Sequence, residues 1–310
     1  MKKINQALTG LTQSKGFSAR YEALKKETLS NPEIQMFLNR HSSSIDEEMI
    51  EKSLMKFYDY TTQQKDCSQC PSLAECQNTV QGYIPHMKLQ GKSIELFYEP
   101  CETKRKVDEK RQRERLIQSL YIPKDILTAT LAEVDINSES KERAVEAADK
   151  FIDDYISGKK TKALYLYGSF GVGKTYLLGA IANDLADKRI SSLLVYVPDF
   201  LREIKSGIGD NTLNEKLDYV KKAPILMLDD IGAETMTSWA RDEILGTILH
   251  YRMSEQLPTF MTSNFDYDGL ENHLAQSRTG DIEQVKSGRI MERIRSMTEP
   301  IQMTGRNRRQ

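Results

Sequence analysis

The chain offers little to a membrane or an export pathway. Across 310 residues no apolar run approaches the ~18 residues that a bilayer-crossing helix needs. The longest apolar stretches, such as 193–197 and 225–228, have the length of strands. The start, Met1-Lys2-Lys3, is not followed by an apolar segment and a small-residue cleavage site, so the cytosol is the expected compartment. Charge of one sign is also in short supply. The 44 Lys and Arg nearly match the 45 Asp and Glu, for a formal net charge of -1. That balance excludes a uniformly basic nucleic-acid coat and leaves room for a local basic patch. Cysteine is scarce, with four residues all between 67 and 101, and a reducing compartment argues against a disulfide framework. No internal repeat of about 20–50 residues is present. What is there, 39% hydrophobic and 29% charged, is the balance of a globular protein. At about 150 residues per domain, the length suggests two domains.

Residues 1 to about 60 read as helices. Ile4, Ala7, Leu8 and Leu11 follow helical spacing. Asn31-Pro32-Glu33 has the form of an N-cap with proline at the first helical position. Ser44 followed by Glu47 has the form of a capping box. Ile45, Met49, Leu54, Phe57 and Tyr58 then line one helical face, either a small core or a partner-binding groove. Ile94, Leu96 and Tyr98 alternate as in a short strand. The segment 104–115 holds seven basic and three acidic side chains and almost nothing to bury. It reads as an exposed connector, with contact to nucleic acid or a partner as the alternative. From about Asn137, helix and strand alternate, with strands at 163–167, 193–197, 225–228 and 259–262 and helices at 175–187, 199–205 and 241–253. Near-continuous apolar strands between helices predict an α/β fold with a parallel sheet.

Gly168-Ser169-Phe170-Gly171-Val172-Gly173-Lys174-Thr175 fits the phosphate-binding pattern G-x-x-x-x-G-K-[ST] at every position, between an apolar strand and an apolar-faced helix. The glycines let backbone N–H groups approach phosphate oxygens, and the helix N-terminus adds partial positive charge. Lys174 is placed for the β and γ phosphates and Thr175 for Mg²⁺. Further on, Pro224-Ile225-Leu226-Met227-Leu228-Asp229-Asp230 is an apolar strand ending in two carboxylates. Such a strand delivers its terminal acids to the sheet edge where ligands bind. Asp229 is then the Mg²⁺-holding acid and Asp230 the base toward the attacking water. A third strand ends in Ser263-Asn264, whose amide could position that water. This order of motifs resembles the AAA+ ATPases, in which Asn264 would be the sensor 1 residue.

The cysteines are spaced Cys67-x2-Cys70-x5-Cys76, then Cys101. Four sulfurs suit a closed, structural Zn²⁺ site. Redox chemistry, an iron–sulfur cluster and free thiols are the other readings, and His86 could replace Cys76 or Cys101 as a ligand.

The run 226–232, the segment Thr262-Ser263-Asn264-Phe265 and the late Gly288-Arg289-Ile290-Met291-Glu292-Arg293-Ile294 resemble the bacterial replicative-helicase loaders, the DnaI/DnaC family of AAA+ ATPases. Pro71-Ser72-Leu73 and the Gly82-Tyr83…Pro85 segment resemble that family's N-terminal domain. The resemblance implies an AAA+ P-loop ATPase with a parallel sheet, preceded by a small, mainly helical zinc-binding domain. It implies a helicase-binding zinc domain at 1–104, a basic linker at 105–136 and the AAA+ domain at 137–310. By the same resemblance Arg293 matches the arginine finger, with Arg289 as the backup, and Arg309 matches sensor 2. The implied function is ATP-dependent delivery of a hexameric replicative DNA helicase onto single-stranded DNA during primosome assembly. The implied cofactors are ATP, Mg²⁺ and Zn²⁺. Self-association through the AAA+ domain and contact with other primosomal proteins are expected, and no membrane. Because most AAA+ proteins carry Asp-Glu where this chain has Asp229-Asp230, slow, partner-regulated turnover is expected. Lys205, Lys216, Lys221 and Lys222, with Tyr219, are candidates for the DNA-facing insertion. Two other readings compete: a transposition-helper ATPase of the IstB type, and a nucleotide-switched adaptor with little hydrolysis.

Overall fold

The computed structural model describes residues 15–67, 70–123, 125–136, 138–206, 212–234, 236–276 and 283–307. The helical spacing at Ile4 to Leu11 lies outside them, as does Arg309. The chain divides into two compact units, Met1–Lys110 and Arg111–Gln310.

The first unit contains helices α1 (Lys15–Ser30), α2 (Pro32–Arg40) and α3 (Glu47–Thr62) and the antiparallel pair β1 (Tyr83–Gln90) and β2 (Ser93–Pro100). Helix α2 starts as its sequence predicts. Asn31 accepts from the Glu33 N–H at 2.9 Å, and Pro32 occupies the first turn. Helix α3 departs from the expected capping box. Its cap is Asp46, which accepts from the Met49 N–H at 2.8 Å, because Ser44 closes the turn after α2 through a bond to the His41 carbonyl. The helical face expected of α3 supplies Met49 and Phe57 to a core with Ile34 and Ile94.

Helix α4 (Glu102–Leu116) buries no side chain and is laced by i,i+4 pairs, Lys104–Asp108 and Lys106–Glu102. The charged connector is therefore helical. Residues 117–136, expected as the rest of a linker, are not one. Strand β3 (Ile117–Leu120) pairs in parallel with β5 (Ser192–Tyr196), and two 3₁₀ turns follow, at Ile126–Thr128 and Leu131–Glu133. Short apolar pieces here find partners on the larger unit, which a local charge count does not reveal.

The second unit is a parallel sheet of six strands, β3-β5-β6-β7-β4-β8. Its strands are β4 (Ala163–Tyr167), β5 (Ser192–Tyr196), β6 (Ile225–Asp229), β7 (Thr259–Ser263) and β8 (Thr298–Gln302), with β3 at the edge. Alternation within each strand supplies two cores. Tyr165, Leu193, Val195, Leu226, Leu228 and Met261 face α7 (Val197–Ser206), α9 (Gly246–Ser254), α10 (Tyr267–Ala275) and α11 (Gln284–Met297). Leu164, Leu166, Leu194, Ile225, Met227 and Phe260 face α5 (Glu139–Ile156) and α6 (Lys174–Asp187). Helix α8 (Thr212–Lys221) precedes β6, and a π-helical turn, Ala240–Leu245, leads into α9. Because β7 lies between β4 and β6, its C-terminal end separates the glycine-rich loop from the paired carboxylates.

Candidate functional site

The loop after β4 takes the shape its glycines permit. Gly168, Gly171 and Gly173 have φ of 147°, 75° and 103°, a region that side-chain-bearing residues rarely enter. A Cβ at Gly168 would meet the Met303 carbonyl at 2.0 Å, and one at Gly171 would meet Asn307 Oδ1 at 1.8 Å. The tail after β8 thus lies directly on the loop. Phe170 is largely exposed, while Val172 is buried in the core below. Gly173 precedes the first turn of α6, so the positive end of the helix dipole faces the site.

The charged groups form one connected set. Lys174 is buried, and its Nζ donates to the Gly168 carbonyl at 2.7 Å, the Ser169 carbonyl at 2.9 Å and Asn264 Oδ1 at 2.8 Å. The Asn264 amide also donates to Asp230 Oδ1 at 3.2 Å. Thr175 donates to both oxygens of Asp229 at 3.0 Å. Burial pushes the Asp229 carboxyl above the usual range, against the pull of the Thr262 and Thr175 hydroxyls. A bound cation would offset that burial cost. These side chains line a cavity of about 690 Å³ with Ser169's neighbours Phe170 and Gly171, and with Tyr121, Ile122, Pro123, Ile126 and Tyr196. A glycine cradle, a lysine and a Thr–Asp pair fit a nucleoside triphosphate with Mg²⁺. The apolar wall of Tyr121, Ile122, Pro123 and Ile126 offers a place for a base.

That wall escaped the sequence reading, which took the segment for a connector. It is anchored on α6. Asn183 donates to the Leu127 and Ala129 carbonyls at 2.9 Å, and a Cβ at Gly179 would strike the Ile126 carbonyl at 2.2 Å. A glycine and a buried asparagine inside an otherwise apolar helix were the available signal.

Arg293 does not line the cavity. It lies on α11, and its Nη1 donates to the Gly246 carbonyl at 2.8 Å. Arg289 is exposed. Of the lysines considered for DNA, Lys216 pairs with Glu203, and Lys221 and Lys222 pair with Asp218. Lys205 instead lines a second cavity of about 240 Å³ with Arg202 and Trp239.

In the first unit Cys101 is buried and its backbone N–H donates to the Gly82 carbonyl at 2.8 Å. Two sulfurs accept backbone N–H groups: Cys76 from Gly82 at 3.3 Å and Cys101 from Lys104 at 3.4 Å. Burial pushes the Cys67 thiol up, and Cys101, Cys70 and Cys76 are all close enough to add to that shift. All four cysteines are free of disulfides. Among the described residues no group of three or more His, Cys, Asp or Glu side chains stands ready-made as a metal-holding cluster. The N–H donors at two of these sulfurs would stabilise negative charge on a thiolate. His86 is exposed, with Nε2 3.7 Å from Glu99 Oε2. No described helix is long and apolar enough to cross a membrane.

A glycine-rich loop after β4, paired acids at the end of β6 and a polar amide at the end of the intervening β7 define an ATP-binding domain of the AAA+ class. Residues 131–265 match the family model of the bacterial DnaA ATPase domain, and residues 1–98 match that of the primosomal protein DnaI N-terminus. The chain is 47% identical over 309 residues to the replicative helicase loader DnaI of Bacillus subtilis (strain 168), covering 100% of this chain and 99% of that one. A crystal structure of DnaI matches with a TM-score of 0.57 at 54% identity, covering 64% of this chain and 99% of that one. A putative primosome component from Streptococcus pyogenes serotype M3 matches with a TM-score of 0.54 at 37% identity, covering 64% and 97% of the two chains. The chain belongs to the DnaI family of replicative helicase loaders, as its motifs lead one to expect.

Proposed function

We propose that this protein is an ATP-dependent loader that binds the hexameric replicative DNA helicase and delivers it onto single-stranded DNA during primosome assembly. The observation that carries this reading is the connected set Lys174–Asn264–Asp230 and Thr175–Asp229 around one cavity, in a chain that is kin to a helicase loader from end to end. In this reading Lys174 and the loop 168–175 hold the phosphates, and Thr175 and Asp229 hold Mg²⁺. Asp230 takes the proton of the attacking water, and Asn264 orients that water. Arg293 reaches the nucleotide of a neighbouring copy, which requires self-association, and Arg309 serves as sensor 2. Cys67, Cys70, Cys76 and Cys101 hold a structural Zn²⁺, and residues 1–104 dock on the helicase, with other primosomal proteins as further partners. Turnover is slow and partner-regulated, because Asp230 is one methylene shorter than the usual glutamate.

A strand-displacement assay with the full chain, the purified helicase and a single-stranded substrate tests the proposal. Lys174→Ala is expected to abolish nucleotide binding and loading together. Asp230→Asn is expected to keep ATP binding while hydrolysis falls about 10²–10⁴-fold, the usual worth of a general base. A full chain that neither binds the helicase nor promotes its loading sinks the reading. Normal loading by Asp230→Asn would favour the nucleotide-switched adaptor, which the engagement of Asp230 by Asn264 also suits.

A further inference from the structure

The end of β7 makes contacts that none of the motif roles uses. Thr262 is 1% exposed, and its side chain meets both acids at the end of β6, Asp229 at its carboxylate and Asp230 at its backbone. The Thr262 hydroxyl lies 2.6 Å from Asp229 Oδ1 and 2.8 Å from the Asp230 amide nitrogen. An amide N–H can only donate, so the hydroxyl accepts there. Its single proton is then committed to Asp229. The Thr262 carbonyl also accepts from the Ile231 N–H at 2.8 Å, and Ser263 Oγ donates to the Ile231 carbonyl at 2.6 Å. Three successive residues, 229 to 231, are therefore stitched to one point on the neighbouring strand.

Two consequences follow for the acids. Asp230 has φ of 62°, a left-handed conformation that is strained for a non-glycine residue. The bonds to Thr262 and Ser263 hold it there, and this sets the direction in which the Asp230 carboxylate leaves the backbone. Asp229 Oδ1 receives Thr262 and Thr175, whereas Oδ2 receives Thr175 alone. Thr262 thus fixes the rotation of the carboxylate and leaves Oδ2 as the less engaged oxygen.

We propose that Thr262 is a positioning residue for hydrolysis: its hydroxyl orients the cation-holding carboxylate of Asp229 and locks the strained backbone that aims Asp230. This rests on the ATPase reading above. A valine of the same shape would leave Asp229 Oδ1 short of a donor and the Asp230 N–H without an acceptor in a buried place.

The test compares Thr262→Val and Thr262→Ser in the full chain. The readouts are the Mg²⁺ dependence of fluorescent ATP-analogue binding, the Mg²⁺ dependence of kcat, and a thermal melt. In Thr262→Val the half-saturating Mg²⁺ is expected to rise and kcat to fall by about 10–100-fold, the usual cost of losing a group that orients a metal-holding residue. Binding of the analogue in chelator should stay within about twofold, since Lys174 and the glycine loop are untouched. Thr262→Ser, which keeps the hydroxyl, should recover most of the loss. A folded Thr262→Val with unaltered Mg²⁺ dependence overturns the proposal. So does a Thr262→Ser as damaged as Thr262→Val, because shape rather than the hydroxyl would then matter. If Thr262→Val does not fold, Thr262→Ala takes its place under the same criteria. If the unaltered chain hydrolyses no ATP, the ATPase reading fails, while the Mg²⁺ dependence of analogue binding still decides the role of Thr262.

Discussion

Asp229, proposed to hold Mg²⁺, is costly to the nucleotide-free protein. It is 3% exposed, and burial raises its carboxyl pKa. An acid whose folded pKa is raised loses stability as pH climbs past its ordinary value, so at neutral pH the ionised form burdens the nucleotide-free fold. Its partners are hydroxyls, with the Lys174 ammonium a weaker influence. Asparagine keeps the size and can still accept from Thr262 and Thr175. Asp229→Asn is therefore expected to raise the melting temperature of the nucleotide-free protein by about 2–4 °C, equivalent to roughly 1 kcal/mol in a domain of this size. The same change should abolish the extra stabilisation that Mg²⁺ adds to ATP. Calorimetry of the two proteins checks both halves, and a lower melting temperature for the variant would show that the carboxylate stabilises the empty fold. Arg252 is the contrasting case. It is fully buried, yet it donates to Thr259 Oγ1 and to the carbonyls of Lys221, Ala223, Pro224 and Pro258. Carbonyl dipoles there do the work of a counter-ion, tying the end of α8 to the starts of β6 and β7.

Among the elements, the π-helical turn Ala240–Leu245 is held by charge. Arg241 is 2% exposed and meets Asp242, Glu283 and the Leu274 carbonyl. Glu283 stands just before α11 and also accepts from Ser238 and Lys286. Bonds from Lys286, then Arg241, then Ser238 lower its pKa from 4.5 to about 2. A depressed acid stabilises the fold above its ordinary pKa, and that contribution is lost as pH falls toward the folded value. The melting-temperature gap between the unaltered chain and Glu283→Gln should be steady above pH 5 and should close as pH falls from about 4.5 toward 2. A gap that ignores pH in that window would mean that shape, not charge, is at work. Neither π turn nor ion network was legible in the sequence, because both depend on residues 30–45 positions apart in the chain. The motif-bearing strands were legible, since each is a continuous apolar run followed by its chemistry. The edges of the sheet were not. Strand β3 is four residues long after a charged helix, and β8, Thr298–Gln302, exposes Glu299, Pro300 and Gln302. Proline is admissible there because β8 is an edge strand. Asn264 was legible as a polar strand end, but its two hydrogen bonds, accepted from Lys174 and donated to Asp230, needed β7 to lie between β4 and β6.

At the scale of the whole molecule, the two units have different sources of stability. The larger has a sheet covered on both faces by apolar helices. The smaller centres on Ile34, Met49, Phe57 and Ile94, a modest core for its length, and carries all four cysteines. Where apolar burial is limited, a metal can supply the missing free energy, because its ligands are brought together only in the folded state. Cys67 and Cys70 precede β1 and Cys101 follows β2, so an ion held by all four sulfurs would close the segment containing the hairpin. If that ion is zinc, chelation is expected to lower the melting of the first unit and leave the second in place. ATP with Mg²⁺ should do the reverse, raising only the second transition by binding its native state. Differential scanning calorimetry of the full chain, with zinc content measured in the same sample, separates the two. Cys101→Ser should reproduce the effect of the chelator, since it removes the buried ligand. A preparation that holds no zinc, or a first transition indifferent to chelation, would leave the cysteines as packed thiols and place the stability of the first unit in its helices and hairpin alone.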